Sequence, residues 1–146
     1  MGALAIVTTR TASASLLAIG ALHALWATGS PWPLADRASL ADVVAGQPAD
    51  RAPSPAACLA VTGALVTAAA LVGGRPRSRP RVRRAGAAGV VATLATRGAF
   101  GLAGRTDLLS PGATSERFRA RDRRLYSPLC LGLAGLAAPA AGRRAA

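Results

Sequence analysis

Residues 56–72 read AACLAVTGALVTAAALV, an uncharged run whose only hydroxyl side chains are Thr62 and Thr67. A helix on the surface of a water-soluble protein shows a polar face at every turn, and no solvated stripe can be drawn on this one. At 1.5 Å rise per residue the run gives about 26 Å of helix, at the short end for a hydrocarbon core of about 30 Å. The reading is a membrane-spanning helix, and its ends carry fitting punctuation. Ser54-Pro55 offers an N-cap followed by proline at the first helical position. Gly73-Gly74, with Pro76 beyond, stops it.

Working outward, three similar runs appear at 11–28, 85–102 and 125–141, and only Arg97 carries a fixed charge inside them. The expected fold is therefore all-α: a polytopic membrane protein, a bundle of four transmembrane helices, with residues 1–146 as one domain. Ser127-Pro128 is read as the first turn of the fourth helix, because proline there gives up an amide that has no helical partner anyway. Tyr126 then serves as an interfacial anchor. The first run is read as a retained helix rather than a cleaved leader, since only Arg10 precedes it and no clean A-x-A exit follows.

The net charge is +12, and all 18 basic residues are arginine. Such a balance suits nucleic acid or an anionic membrane surface. Here the arginines fall between uncharged runs instead of spreading over a surface interleaved with aromatics, which make up only 3% of the chain. That distribution excludes nucleic acid and leaves the lipid bilayer as the partner. Two cysteines without a C-x-x-C pair are too few for a disulfide framework and wrongly spaced for zinc, so no metal is assigned.

Connection charges bear on orientation. The first, about 29–55, sets Arg37 and Arg51 against Asp36, Asp42 and Asp50. The second, about 73–84, holds Arg75, Arg77, Arg79, Arg81, Arg83 and Arg84 with no acid. The third, about 103–124, mixes six arginines with Asp107, Glu116 and Asp122. The compact, acid-free second loop places itself and both termini in the cytoplasm of a protein of the plasma membrane. The third loop argues the other way. Within it, 115–125 reads as a short helix, with Phe118, Asp122 and Leu125 on one face; Asp122 pairs either locally with Arg119 or with a cation of the bundle. In the first loop, Trp32-Pro33-Leu34 and the stripe Leu40, Val43, Val44 read as a segment lying on the interface.

Because alternate helices run in opposite directions, His23 and Trp26, Cys58, Arg97, and Tyr126, Ser127 and Cys130 all fall in one leaflet. Gly20, His23 and Ala27 share a stripe, as do Gly89, Thr93, Arg97 and Gly101, and Ser54, Cys58 and Thr62. Small residues beside a polar one let helices close up and turn the polar group inward. An intramembrane arginine faces the bundle, and Asp122, the Tyr126 hydroxyl or carbonyls near Pro128 are its candidate partners. The candidate polar cluster is His23, Trp26, Arg97, Asp122, Tyr126 and Cys130, with Arg97–Asp122 as an ion pair pinning the third loop to the bundle mouth. A disulfide between Cys58 and Cys130 is geometrically open should the second and fourth helices touch.

The pattern H-x-x-W-A-x-G from His23, then Trp32-Pro33, Arg97-Gly98 and F-x-x-x-D-x-x-x-Y-S-P-L-C-L from Phe118, resembles a family of small actinobacterial four-helix integral membrane proteins classed as a domain of unknown function. The resemblance spans nearly the whole chain. It departs after Arg97, where relatives continue with isoleucine, glycine and an aromatic series and this chain has Gly98-Ala99-Phe100-Gly101. It implies the topology and the place of the polar cluster, and it adds no chemistry and no cofactor.

Three functional classes follow. The first is a non-enzymatic accessory or lipid- or small-ligand-binding membrane component. The second is a membrane redox protein using Cys58 and Cys130, or a haem on His23. The third is a small transporter acting as an oligomer. No nucleophile–base pair, H-E-x-x-H, P-loop or Rossmann glycine pattern is present, which disfavours an enzyme. A protein partner or a second copy of the chain is left open.

Overall fold

The computed structural model describes residues 2–74, 79–109, 111–113 and 115–142. Arg75, Arg77, Arg143 and Arg144, which enter the charge argument for orientation, lie outside the described residues, as does Pro76. Among the described residues, four helices are long and apolar enough to cross a membrane: α1 (Ala3–Ala27), α3 (Pro55–Gly73), α4 (Pro80–Leu102), and the continuous helical stretch Glu116–Gly142. The last is built from α6 (Glu116–Arg121), a π-turn (Asp122–Tyr126) and α7 (Ser127–Gly142). Between α1 and α3 lie the short α2 (Arg37–Leu40) and a second π-turn (Ala41–Ala45); α5 (Thr106–Leu109) follows α4. Among the described residues there is no strand. The chain is an all-α, multi-pass membrane protein.

Local chemistry explains most boundaries. Ser54 accepts a hydrogen bond from the Ala57 amide at 3.2 Å with Pro55 at the first helical position, and Gly74 closes α3 in the left-handed conformation. Ser115 caps α6 in the same way, taking the Phe118 amide at 3.2 Å. Three helices begin earlier than the apolar runs do, at residues 3, 80 and 116. Alanine and arginine are both good helix formers, so a helix continues past the apolar run that identifies it. At 27 residues, Glu116–Gly142 measures about 40 Å, and its arginine-rich first turns therefore project beyond a core of about 30 Å.

Ser127-Pro128 opens α7 but does not start the fourth span. The chain is already helical from Glu116, and the proline sits inside it. Proline has no amide to donate, and the preceding turn widens to absorb the loss: the Ser127 amide reaches back five residues to the Asp122 carbonyl. The wide turn also re-aims side chains. Leu125, expected beside Phe118 and Asp122, is 54% exposed. Tyr126 takes its place, with its ring 6.2 Å from that of Phe118.

In the bundle α1 packs most extensively on α3, and α4 on α7, with α1 against α7 closing the assembly. The buried core is made of Ala12, Leu16, Ala69, Val72, Ala87, Leu133, Ala137 and Ala140, mostly small residues that let the helices approach closely. Ser13 donates to the Ala69 carbonyl at 2.9 Å and Thr62 to the Gly20 carbonyl at 3.2 Å, tying α1 to α3. Large apolar side chains such as Leu59, Val66, Val82 and Leu129 face outward, where lipid acyl chains would meet them.

Candidate functional site

The end of α1, the start of α3, the end of α4 and the start of the last span meet under a cover made by the first and third connections. Gln47 Nε2 donates to the Pro111 carbonyl at 3.2 Å, joining the two connections. Gly46 has a φ of +68° and lies so close to Phe118 that a Cβ there would come within 2.7 Å of its ring. Tyr126 Oη donates to the Val43 carbonyl at 3.2 Å, fastening the π-turn Ala41–Ala45 to the last span.

Beneath this cover, Arg97 and Asp122 form a two-pronged ion pair: Nη2 to Oδ1 at 2.5 Å and Nη1 to Oδ2 at 3.3 Å. Asp122 is wholly buried and Arg97 is 28% exposed. A buried carboxylate is tolerated only with such a partner, and the forked guanidinium matches both oxygens. The local alternative is not taken, because Arg119 bonds Glu116 at 2.9 Å. Gly98 and Gly101, both buried, let α4 approach closely enough for the pair to form. The Ser127 hydroxyl, also fully buried beside this pair, has no hydrogen-bond partner.

The stripe Gly89-Thr93-Arg97-Gly101 turns inward only at its lower end, since Gly89 and Thr93 are exposed. Rows at i+4 spacing slant around a helix, so a four-residue row cannot stay on one face. The inward face is Ala87, Val91, Leu94, Gly98 and Gly101.

Tyr126 and Cys130 of the expected cluster lie close enough to feel the charges of this pair, whereas His23 and Trp26 gather elsewhere. The His23 and Trp26 rings lie with centroids 4.8 Å apart, tilted by 58°, and line a separate cleft of about 180 Å³ between α1, the first connection and α3. Its walls are almost entirely apolar, with Leu40, Val44, Pro53, Cys58 and Val61 among them and Arg37 alongside. His23 Nδ1 lies 2.9 Å from the Ile19 carbonyl. A carbonyl only accepts, so Nδ1 carries the hydrogen and Nε2 keeps the lone pair in the neutral ring. Trp26 Nε1 donates to the Trp32 carbonyl at 2.7 Å, folding the first connection back over α1. Asp36 caps α2 by accepting from the Ser39 amide at 2.7 Å, and that bond holds its carboxyl below the usual aspartate range.

Cys58 and Cys130 are free thiols. Cys58 is buried at the cleft, while Cys130 is half-buried one turn beyond Tyr126 on the last span. Among the described residues no three of His, Cys, Asp and Glu gather closely enough to share a metal ion. The polar residues thus form two groups, Arg97–Asp122–Ser127 with Tyr126 and Cys130 close by, and His23–Trp26–Arg37–Cys58, joined by the π-turn Ala41–Ala45. Arg37 and the Val43 carbonyl escaped sequence reasoning; the only signal was an arginine and an apolar stripe in an otherwise polar loop.

These features define a class of small four-span helical membrane proteins whose extramembrane connections close over one end of the bundle. The family model of a protein of unknown function, DUF3995, matches residues 16–137, and the chain belongs to that family. No curated protein and no solved structure matches it.

Proposed function

We propose that this protein is a non-enzymatic membrane component that holds a lipid or small amphiphile in the cleft at the covered end of the bundle. The observation that carries the reading is the cleft: an apolar recess of about 180 Å³ with His23, Arg37 and Cys58 at its wall. Ligand pockets combine an apolar lining with a few polar groups that fix orientation. The recess exceeds the roughly 150 Å³ engineered cavity that accommodates benzene, so it suits a length of acyl chain or a small apolar head. The Arg97–Asp122 pair supports the cleft by pinning the last span, and with it the Tyr126–Val43 bond, in place.

The same reading puts the protein in the plasma membrane as one four-span unit, with both termini and residues 73–84 in the cytoplasm and the cleft in the outer leaflet. Mass spectrometry of the protein released from mild detergent should show a retained lipid. Ala57→Phe, which fills the cleft from its exposed wall, should lose it. Retention of the same lipid by Ala57→Phe would overturn the proposal. Cysteines introduced at Asp50 and Asp107 should both react with an impermeant thiol reagent added outside intact cells; labelling only after lysis would reverse the orientation.

A further inference from the structure

Arg37 opens α2 and lines the cleft, with its side chain exposed to the surroundings. Its guanidinium lies over the end of α1, where a Cβ on Gly29 would stand 3.4 Å from Nη1. Among the described residues no carboxylate lies within ion-pair distance of it. The acids nearby in sequence are committed elsewhere: Asp36 to the α2 cap, and Asp42 to Arg117 at 3.8 Å. A cation without a carboxylate therefore sits at the rim of an apolar recess, at the depth where α1 ends and α3 begins.

From this juxtaposition we infer that the cleft selects an anionic phospholipid of the surrounding leaflet, with its phosphate on Arg37 and a segment of one acyl chain between Trp26 and Val61. The inference rests on the amphiphile-binding reading above and names its ligand class. Charge complementarity supplies the selectivity, and the apolar walls supply affinity shared by any lipid.

The test uses the full chain carrying Trp32→Phe, so that Trp26 is the remaining tryptophan. It is reconstituted with phosphatidylglycerol or phosphatidylcholine bearing brominated acyl chains. Bromine quenches a nearby indole, and phosphatidylglycerol should reach half-maximal quenching at about fivefold lower mole fraction, as expected for one arginine at the surface. Arg37→Gln should bring the two lipids level, whereas Arg51→Gln, in the same connection but outside the lining of the cleft, should leave the preference intact. Equal quenching by the two lipids without the Arg37 substitution overturns the inference, and so does an equal loss of preference in Arg51→Gln, which would mark a general surface potential. Ala57→Phe separates the two levels. If it relieves quenching by both lipids while no headgroup preference exists, the cleft binds lipid and only the phosphate assignment fails. If quenching is unchanged in Ala57→Phe, the cleft is not the binding place and both readings fail.

Discussion

Arg97 and Asp122 come from different spans, twenty-five residues apart, and meet through two hydrogen bonds at the covered end of the bundle. The pair joins α4 to the π-turn inside the last span. Asp122 is wholly buried, so removing its charge leaves an arginine oriented toward a neutral amide, and removing Arg97 leaves a carboxylate with no cation. Breaking a fully buried pair costs about 3–5 kcal/mol, and the partial exposure of Arg97 lowers the expectation to about 2–3 kcal/mol. Asp122→Asn and Arg97→Gln should each lower unfolding stability in detergent by that order. Unchanged melting of both variants would show that the pair does not hold the mouth together.

Gly101 sets how closely α4 approaches that pair. A Cβ at this position would collide with Ser127 Oγ and come within 2.6 Å of Asp122 Oδ2 and 2.8 Å of Arg97 Nη1. Gly101→Ala should therefore destabilise by about 1–3 kcal/mol, the usual range for overpacking. Ser127→Ala should be neutral or stabilising on its own, because it removes a buried hydroxyl that has no hydrogen-bond partner. The double substitution should recover part of the Gly101→Ala loss, since the atom in collision is gone. Strict additivity of the two in a thermal melt would mean that they do not share the contact.

The spans were legible because lipid-facing helices carry no polar stripe, and the absence of charge in residues 56–72 alone gives α3. The shared depth of His23, Cys58, Arg97 and Tyr126 followed from alternating helix direction. Rotation was less legible. The π-turn at Asp122–Tyr126 moved Leu125 outward and brought Tyr126 onto Phe118, and nothing in a period of 3.6 announces a five-residue turn. Pro128 is the available signal, and by itself it fits the first turn of a helix as well as a wide turn within one. The division of the polar residues into two groups depends on the first connection folding between them, a long-range contact that local pattern does not encode.

Gly46 carries that connection. Its backbone is left-handed, and a Cβ would come within 2.7 Å of Phe118 Cδ1 and 2.9 Å of Ala113 Cβ. Gly46→Ala should cost about 1–2 kcal/mol for the backbone alone, with steric repulsion from Phe118 added. Its effect should be local. Limited proteolysis should cut the first and third connections faster while leaving the spans protected by detergent. Cleavage at the unsubstituted rate would show that the two connections are not held together through Gly46 and Phe118.

Asp36 ties the connection to pH. The Ser39 amide donates to its carboxylate, which lowers the carboxyl pKa from the ordinary value of 3.8. A group whose folded pKa is depressed adds stability that is fully present above the unfolded value and is lost as pH falls through the folded one. The α2 cap, and with it the position of Arg37 at the cleft, should therefore hold at neutral pH and loosen only under acid below the ordinary aspartate range. Followed by nuclear magnetic resonance in micelles, the Ser39 amide should shift in that acid range. Asp36→Asn should abolish the step while keeping the cap, because asparagine accepts the same bond without titrating. A midpoint at or above the ordinary aspartate value would contradict the hydrogen bond as the cause. Persistence of the step in Asp36→Asn would assign it to another carboxylate.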